Sequence, residues 1–472
     1  MTPHTTQEPP KLFQAREPVF PQRVSGWYRR LKWWLMIFTL SIYYITPWLR
    51  WDRGANLPDQ AVLIDLSRAR FFFFWIEIWP HEFYFVAGLL IMAGLGLFLF
   101  TSALGRVWCG YACPQTVWTD LFILVERWVE GERNERIRLL RSKWGFRKAR
   151  LRITKWFIWL LIAVATGGAW VFYFADAPTL LRNLVNGQAI FAAYATIAIL
   201  TATTFIFGGF LREQVCTYMC PWPRIQAAMM DEHSLTVAYR DWRGEPRGKL
   251  GKAEGDCIDC MACVNVCPQG IDIRDGQQVE CTTCALCIDA CDTMMEKIGR
   301  PRGLIDYCAL SDEPLERAGN KPKTVWSHIL RLRNFIYFGL WACIGVGLVV
   351  ALFIRSDFSA AVKPDRNPRY VTLSDGTIRN AYDLKISNQT GEDRSFHISI
   401  KTDEPLRLDL EGTDELNVVV PADGRFHQRV YIFAKPEYAA SKTDRTAVRF
   451  WIDERAGGER TYVDSVFAGD AK

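Results

Sequence analysis

Apolar and polar positions alternate along this chain on three length scales, and each scale predicts a different kind of element. Five apolar runs, at 33–49, 83–104, 156–175, 188–211 and 335–354, are nearly free of charge. Crossing a hydrocarbon core about 30 Å thick takes about 20 helical residues, so the pattern predicts five transmembrane helices. The first run is short and contains Pro47. It does not read as a removable leader, because polar, Pro-containing residues 1–32 precede it and no small-residue cleavage site follows. Residues 71–79 are also apolar, but the run is brief, carries Glu77 and stops at Pro80, which suggests an interfacial or re-entrant piece leading into the second span. After about Pro364 the period shortens to two. Leu384-Lys385-Ile386, Phe396-His397-Ile398-Ser399-Ile400, Val430-Tyr431-Ile432 and Val448-Arg449-Phe450-Trp451-Ile452 lie between the turn signals Ser374-Asp375-Gly376, Ala422-Asp423-Gly424 and Ala456-Gly457-Gly458. Short strands at such spacing predict a β-sandwich.

The charges between spans give an orientation, because loops on the cytoplasmic side are rich in Lys and Arg. Residues 1–32 carry six basic and two acidic groups, 50–82 carry four and five, and 105–155 carry twelve and five. The start of the chain is therefore expected inside, and Lys321, Lys323, Arg331 and Arg333 before the last span point the same way. The tail from Arg355 is expected outside. The basic residues between Arg127 and Lys155 are expected to solvate a cytoplasmic helix and touch anionic lipid. The expected order is a cytoplasmic segment 1–32, a four-helix membrane domain 33–211, a cytoplasmic region 212–334 with its core at 250–295, a fifth helix 335–354 and an outer domain 355–472.

Composition narrows the chemistry. Half of the 472 residues are apolar and the net charge is only +6, so nothing suggests nucleic acid as a partner. No phosphate loop, dinucleotide fingerprint or Ser nucleophile motif occurs, and the six His include none in the first four spans, which argues against transmembrane haem. The 14 Cys are absent from the last 129 residues, which excludes a disulfide scaffold in the exported part and favours metal ligation.

Eight of those Cys form Cys257-x2-Cys260-x2-Cys263-x3-Cys267-Pro268 and Cys281-x2-Cys284-x2-Cys287-x3-Cys291. In two-cluster ferredoxins three thiolates of one run wrap a 4Fe–4S cubane, and the fourth reaches the other cluster. Cys257, Cys260, Cys263 and Cys291 are then expected at one cluster, and Cys281, Cys284, Cys287 and Cys267 at the second. Structural zinc also uses CxxC spacing, but rarely the 2-2-3 pattern twice in succession. Asp292 stands where the first run has Pro268, a departure that affects shielding and leaves the ligands intact. Two adjacent clusters serve to relay single electrons.

A second pair of motifs, Cys109-Gly-Tyr-Ala-Cys113-Pro114 and Cys216-Thr-Tyr-Met-Cys220-Pro221, lies 107 residues apart, each after the second span of a helical hairpin. This suggests an internal duplication with both thiol pairs at one membrane face. If helical, Cys at i and i+4 share a face and could hold Cu(I) or cycle between dithiol and disulfide. Met219, Met229, Met230 and His233 are secondary copper candidates, although Met beside an amphipathic stretch is more often packing. Cys308 and Cys343 have no partner spacing and read as structural.

Residues 107–118, the 216–221 motif, Arg243-Gly244-Glu245-Pro246-Arg247-Gly248, residues 255–291, Pro301-Arg302-Gly303-Leu304-Ile305 and Leu373-Ser374-Asp375-Gly376 together resemble the FixG/RdxA/CcoG family, accessory proteins of cbb3-type cytochrome c oxidase. The resemblance implies a multi-pass bacterial inner-membrane protein with an inserted two-cluster ferredoxin domain and a C-terminal immunoglobulin-like sandwich. It also implies work alongside oxidase assembly factors and a copper-transporting P-type ATPase, with the task of reducing Cu(II) to Cu(I). On that reading Cys109, Cys113, Cys216 and Cys220 bind and reduce copper, and the electron donor is unidentified. A quinol-oxidising subunit like the membrane polyferredoxins, which share the CxxxCP motifs, is the alternative, as is a non-catalytic assembly scaffold. A homodimer is left open.

Overall fold

The computed structural model describes residues 18–470, with the exceptions of 55–56, 250, 252–253, 413–414 and 456. Residues 1–17 of the expected N-terminal segment, and Ala456 of the last turn signal, lie outside the described residues. The chain divides into two compact units, 1–50 with 60–348 and 51–59 with 349–472.

Among the described residues, four helices are long and apolar enough to cross a membrane: Pro80–Leu104, Phe146–Val171, Phe191–Gly209 and Leu332–Ile354. The second starts ten residues before the expected run: Lys148 in its first turn donates to the Leu140 and Ser142 carbonyls, and Arg152 and Lys155 further along pair with the buried Glu130 and Glu126. The expected first span is not among the four. Its helix, Trp27–Ile45, puts Arg29, Arg30 and Lys32 in its first two turns and gives way at Pro47 to the 3₁₀ turn Thr46–Trp48. The polar start is anchored to protein: Arg29 reaches Asp120 at 2.9 Å, and Asp289 accepts from the Tyr28 and Arg29 N–H groups.

The 71–79 piece is largely extended. Strands β1 (Val62–Asp65), β2 (Arg70–Phe73) and β3 (Ile76–Ile78) form a small antiparallel sheet, as a run of Phe and Ile with turns between them favours. Arg70 of β2 is neutralised locally, on Glu77 at 3.1 Å and over the Trp79 ring at 3.7 Å.

The basic stretch 127–155 is also not simply solvated. Glu126 is buried among Arg136 (3.1 Å), Lys155 (3.2 Å) and Arg212 (2.7 Å), and Glu130 pairs with Lys155 and Arg152. Burial works to raise the Glu126 pKa, but the charge and hydrogen bond of Arg212, then Lys155 and Arg136, prevail and hold it at about 2. This knot fastens the Pro114–Glu130 helix to the Phe146–Val171 helix and to the end of the Phe191–Gly209 helix. Trp159 completes the joint by stacking on Phe122, with ring centroids 5.1 Å apart.

The ferredoxin portion is framed by an antiparallel pair, β4 (Thr236–Tyr239) and β5 (Ile305–Cys308), around two helices, Ala262–Val266 and Leu286–Lys297. Val237, Ile273, Ile288, Met295, Leu304 and Ile305 pack with the cysteines into one apolar core. Cys308 lies on β5, whereas Cys343 is exposed on the last apolar helix.

The second unit is the expected sandwich, with more strands than the sequence pattern marks. They are β6 (Phe358–Pro364), β7 (Val371–Thr372), β8 (Ile378–Asn388), β9 (Arg394–Lys401), β10 (Arg407–Leu410), β11 (Asn417–Val420), β12 (Arg425–Ala434), β13 (Thr446–Glu454) and β14 (Arg460–Phe467). One sheet runs β10-β12-β8-β6, with β7 on β8, and the other β11-β9-β13-β14. Alternate residues of β8 and β13 point inward, and Tyr382, Ile386, Phe396 and Phe450 fill the space between sheets.

Candidate iron–sulfur and thiol sites

The two ferredoxin runs fold into matching loops. Asp259 and Met261 in the first run, and Thr283 and Ala285 at the same offsets in the second, all have positive φ, between 52° and 58°. The left-handed residues curl each run so that its sulfurs turn toward a common centre, and the Thr283 N–H lies 3.4 Å from Cys281 Sγ. Each fourth Cys then crosses over. Cys291 lies within electrostatic reach of Cys263, Cys260 and Cys257, while Cys267 neighbours Cys284 and Cys281. A small cavity is lined by Cys263, Cys267, Cys281, Cys284 and Cys287 together with Val237, Ile271 and Ile273. Burial pushes Cys263 and Cys281 up to about 11, and Cys267 and Cys291 up to about 12. Such sulfurs ionise when metal binds, and a cavity lined by five cysteines, four of them the expected ligands of the second cluster, with apolar packing behind, fits a 4Fe–4S cluster. Asp292 accepts the Gly303 N–H at 2.9 Å, so the departure from Pro clips residues 301–305 to the helix that carries Cys291.

The CxxxCP motifs are not continuous helices with both thiols on one face. Cys109 lies in the turn Val107–Tyr111, Cys113 is extended, and Pro114 begins the next helix. Cys216 lies in the π-helical turn Val215–Met219, Cys220 is extended, and the helix Trp222–Met229 follows. The residue before a proline avoids helical geometry, which forces this break. The copies share one closure: the Cys113 N–H bonds Trp108 O at 2.9 Å, and the Cys220 N–H bonds Val215 O, also five residues back, at 2.8 Å.

The two motifs are brought together. Cys109 Sγ donates to Gln226 Oε1 at 2.9 Å, just beyond the second motif. Gln115, just beyond the first, donates to Phe207 O at 2.9 Å and to Arg212 O at 3.3 Å. Cys216 is within electrostatic reach of Cys113, Cys109 and Cys220, and burial with those neighbours pushes it up to about 12. Cys109 rises to about 11 through burial, with Arg106 opposing. Met229 is buried in packing, His233 Nδ1 meets Ser311 Oγ at 2.8 Å, and Met219 is exposed.

The first motif also docks on the ferredoxin loop 281–287. A β-carbon on Gly110 would lie 2.7 Å from Thr282 O and 3.0 Å from Cys284 Cα, so the backbones touch only because Gly110 has none. Tyr111 Oη donates to Cys284 O at 3.2 Å, and Tyr307 Oη to Thr283 O at 2.9 Å. Arg106 donates to Val279 O, and its guanidinium acts on both Cys109 and Cys281. Reasoning from motifs missed Arg106, Gly110, Tyr111 and Gln226. Comparing the copies holds a signal for one of them: the first has Gly110 where the second has Thr217, and only the first meets the loop.

Comparison with known proteins bears on these sites. A 4Fe–4S dicluster domain model matches residues 211–310, a 4Fe–4S binding domain model matches 85–147, and a model of the immunoglobulin-like fold at the C-terminal end of FixG matches 348–470. Protein RdxB of Cereibacter sphaeroides is 65% identical over 464 residues, 97% of either chain. RdxA of the same organism is 60% identical over 97% of this chain and 98% of its own. The nitrogen fixation protein FixG of Rhizobium meliloti is 56% identical over 83% and 80%. The chain belongs to the FixG/RdxA family. As a family member with 4Fe–4S domains and apolar membrane helices, it is an iron–sulfur electron-transfer protein of a membrane.

Proposed function

We propose that this FixG/RdxA member reduces Cu(II) to Cu(I), one electron per ion, in support of cbb3-type oxidase maturation. Cys109, Cys113, Cys216 and Cys220 form the sulfur site from which the electron leaves. One observation carries the reading: Gly110, inside the first CxxxCP motif, lies against the Thr282 carbonyl and Cys284 with no room for a methyl group. A 4Fe–4S cluster in each ferredoxin set supplies one-electron storage without proton transfer.

The chain's own residues lay out the route. Cys263 belongs with the Cys291 set and also borders the cavity of the Cys287 set, which makes the two neighbours. The Cys281–Cys287 loop touches the first CxxxCP motif, so the Cys257 set is the entry and the Cys281 set the exit. Tyr111 and Tyr307 clamp the carbonyls of that loop, and buried Arg106 places a positive charge between it and Cys109. Soft sulfur is the donor type that favours the reduced ion, so copper that meets this site as substrate is drawn toward Cu(I).

The Trp27–Ile45 helix supplies a fifth crossing, supported by its exposed Trp34, Ile37, Phe38, Ile42 and Ile45 beyond the anchored basic start. The N-terminus and the ferredoxin portion then face the cytoplasm of a bacterial inner membrane, and the sandwich faces the periplasm, where it meets assembly factors and a copper-transporting P-type ATPase. The test uses purified full-length protein in proteoliposomes with excess dithionite removed. The reduced protein is expected to convert added Cu(II) to chelator-trapped Cu(I), and replacing the four CxxxCP cysteines by Ser is expected to abolish this. Unchanged Cu(I) yield in the variant would refute the assignment.

A further inference from the structure

We infer that a cleft walled by the first turns of the Trp27–Ile45 helix, the last turns of Pro114–Glu130 and the Leu286–Lys297 helix binds a membrane quinol, the electron donor of the relay. The inference rests on the proposed function, which makes the Cys257 set the entry, and it names the class of donor that delivers electrons there.

The cleft measures about 1100 Å³. That exceeds the roughly 300–1,000 Å³ of ordinary small-molecule sites, so a ring with its substituents fits. One wall is the helix that carries Cys291, a ligand of the entry set. Asp292, the next residue, lines the cleft together with Thr293 and Glu296. The opposite wall comes close because Gly26 has no side chain. A β-carbon there would overlap the Asp289 carboxylate, which instead receives the Tyr28 and Arg29 N–H groups. A ligand in the cleft therefore lies against the backbone that holds the first set of thiolates.

The lining selects a neutral aromatic ring. Trp27, Tyr28, Trp33 and Trp128 face it, and Trp27 and Trp128 are more than half exposed, with broad ring faces left to stack on. Its five Arg meet four carboxylates. Several of these charges are already engaged, Arg29 by Asp120 and Arg302 by Glu296, so neither a strong anion nor a strong cation finds a matching excess of charge. One polar group is left over. Arg127 donates to the Pro21 and Gln22 carbonyls at 3.2 Å, but its buried Nε–H has no acceptor among the described residues. A quinol oxygen supplies one. An apolar tail also has a path, past exposed Leu124 and along exposed Ile37, one turn beyond Trp33 on the proposed fifth crossing. A water-soluble donor has no use for that path.

The stoichiometry balances. Each quinol loses two electrons and two protons as its two O–H bonds break, and it leaves as the quinone. Its two electrons match two ferredoxin sets that each hold one, and they end on two Cu(II), which become two Cu(I). The protons pass to water at the rim of the cleft, where Glu296 and Arg302 are exposed.

The test uses oxidised full-length protein in lipid nanodiscs. A photoreactive short-chain naphthoquinone is expected to label peptides within 23–33 or 124–132, and excess unlabelled naphthoquinone to suppress the labelling. Trp27→Ala with Trp128→Ala, two exposed positions, is expected to lower it about tenfold or more. The matching naphthoquinol, mixed without oxygen, is expected to bleach the iron–sulfur absorbance of the parent and to act about tenfold more slowly on the variant. Dithionite is expected to bleach both to the same extent, which reports intact ferredoxin sets. Absence of suppressible labelling in the cleft, or equal quinol rates in parent and variant, would overturn the site. A parent that the quinol leaves oxidised, whether or not a reduced soluble flavoprotein bleaches it, would overturn the donor. Cu(II) reduction by the dithionite-reduced samples is scored separately and is expected to be alike in both. No Cu(I) from either would fault the proposed function while leaving the labelling and the quinol rates to decide this inference.

Discussion

Gly110 shows how much of this account depends on a missing side chain. Gly110→Ala forces the first CxxxCP motif off the 281–287 loop. Overpacking of this kind costs about 1–3 kcal/mol, and a displacement near 1 Å at a reacting site can cost on the order of a hundredfold in rate. Copper reduction is therefore expected to fall at least tenfold, roughly, with iron content unchanged, which parallel iron and Cu(I) assays would check. Glu126 acts by charge. Glu126→Gln leaves Arg136, Lys155 and Arg212 without their shared buried counter-ion, and breaking a buried pair costs about 3–5 kcal/mol. Because its folded pKa lies near 2, below the usual carboxylate range, its contribution is complete above that range and is lost as pH falls toward 2. Melting curves of parent and variant are expected to be far apart at neutral pH and to converge in acid. None of these roles was legible from spacing. The cysteines announce themselves because ligand chemistry fixes their type and interval, whereas Gly110, Arg106 and Glu126 matter through neighbours far along the chain.

Among the elements, the spans were the most legible, since a run of apolar residues declares a helix whatever packs beside it. The 83–104 run coincides with the helix Phe83–Leu104. Where charge intrudes, the pattern misplaces boundaries: Arg29 and Lys32 belong to the Trp27–Ile45 helix because Asp120 and Asp289 receive its start, and Phe146–Val171 begins early with Lys148 on backbone carbonyls and Arg152 and Lys155 on Glu130 and Glu126. The condition on which both thiols of a CxxxCP motif would share one helix face is not met, because the proline extends the Cys before it. The same break lets two thiols four residues apart turn toward a shared site. The ferredoxin helices carry a sharper consequence. Cys267 ends Ala262–Val266 among the second set, and Cys291 sits in Leu286–Lys297 beside the first. Cys267→Ser is accordingly expected to perturb the resonance of the cluster held by Cys281, Cys284 and Cys287, and Cys291→Ser that of the other. The opposite pairing would show the crossed assignment to be wrong.

For the molecule as a whole, the division of labour follows the distribution of cysteine. All 14 lie before residue 344, in the unit that holds the membrane helices and the ferredoxin portion, and the sandwich has an apolar core of its own. A domain with its own core folds as a unit, so a chain ending after the last apolar helix is expected to reduce copper within about twofold of the parent in vitro. In cells the same truncation is expected to impair oxidase maturation, measured as assembled oxidase per membrane protein. A truncation that abolished reduction in vitro would place the sandwich in the chemistry. The central claim, that electrons held by the ferredoxin cysteines leave through the CxxxCP thiols, is tested most directly by rapid mixing. Chemically reduced protein is mixed with Cu(II), and reoxidation of the iron–sulfur absorbance is followed for the parent and for the variant with Ser at 109, 113, 216 and 220. The account predicts fast reoxidation in the parent and slow reoxidation in the variant with its ferredoxin clusters intact. Equal rates would contradict it.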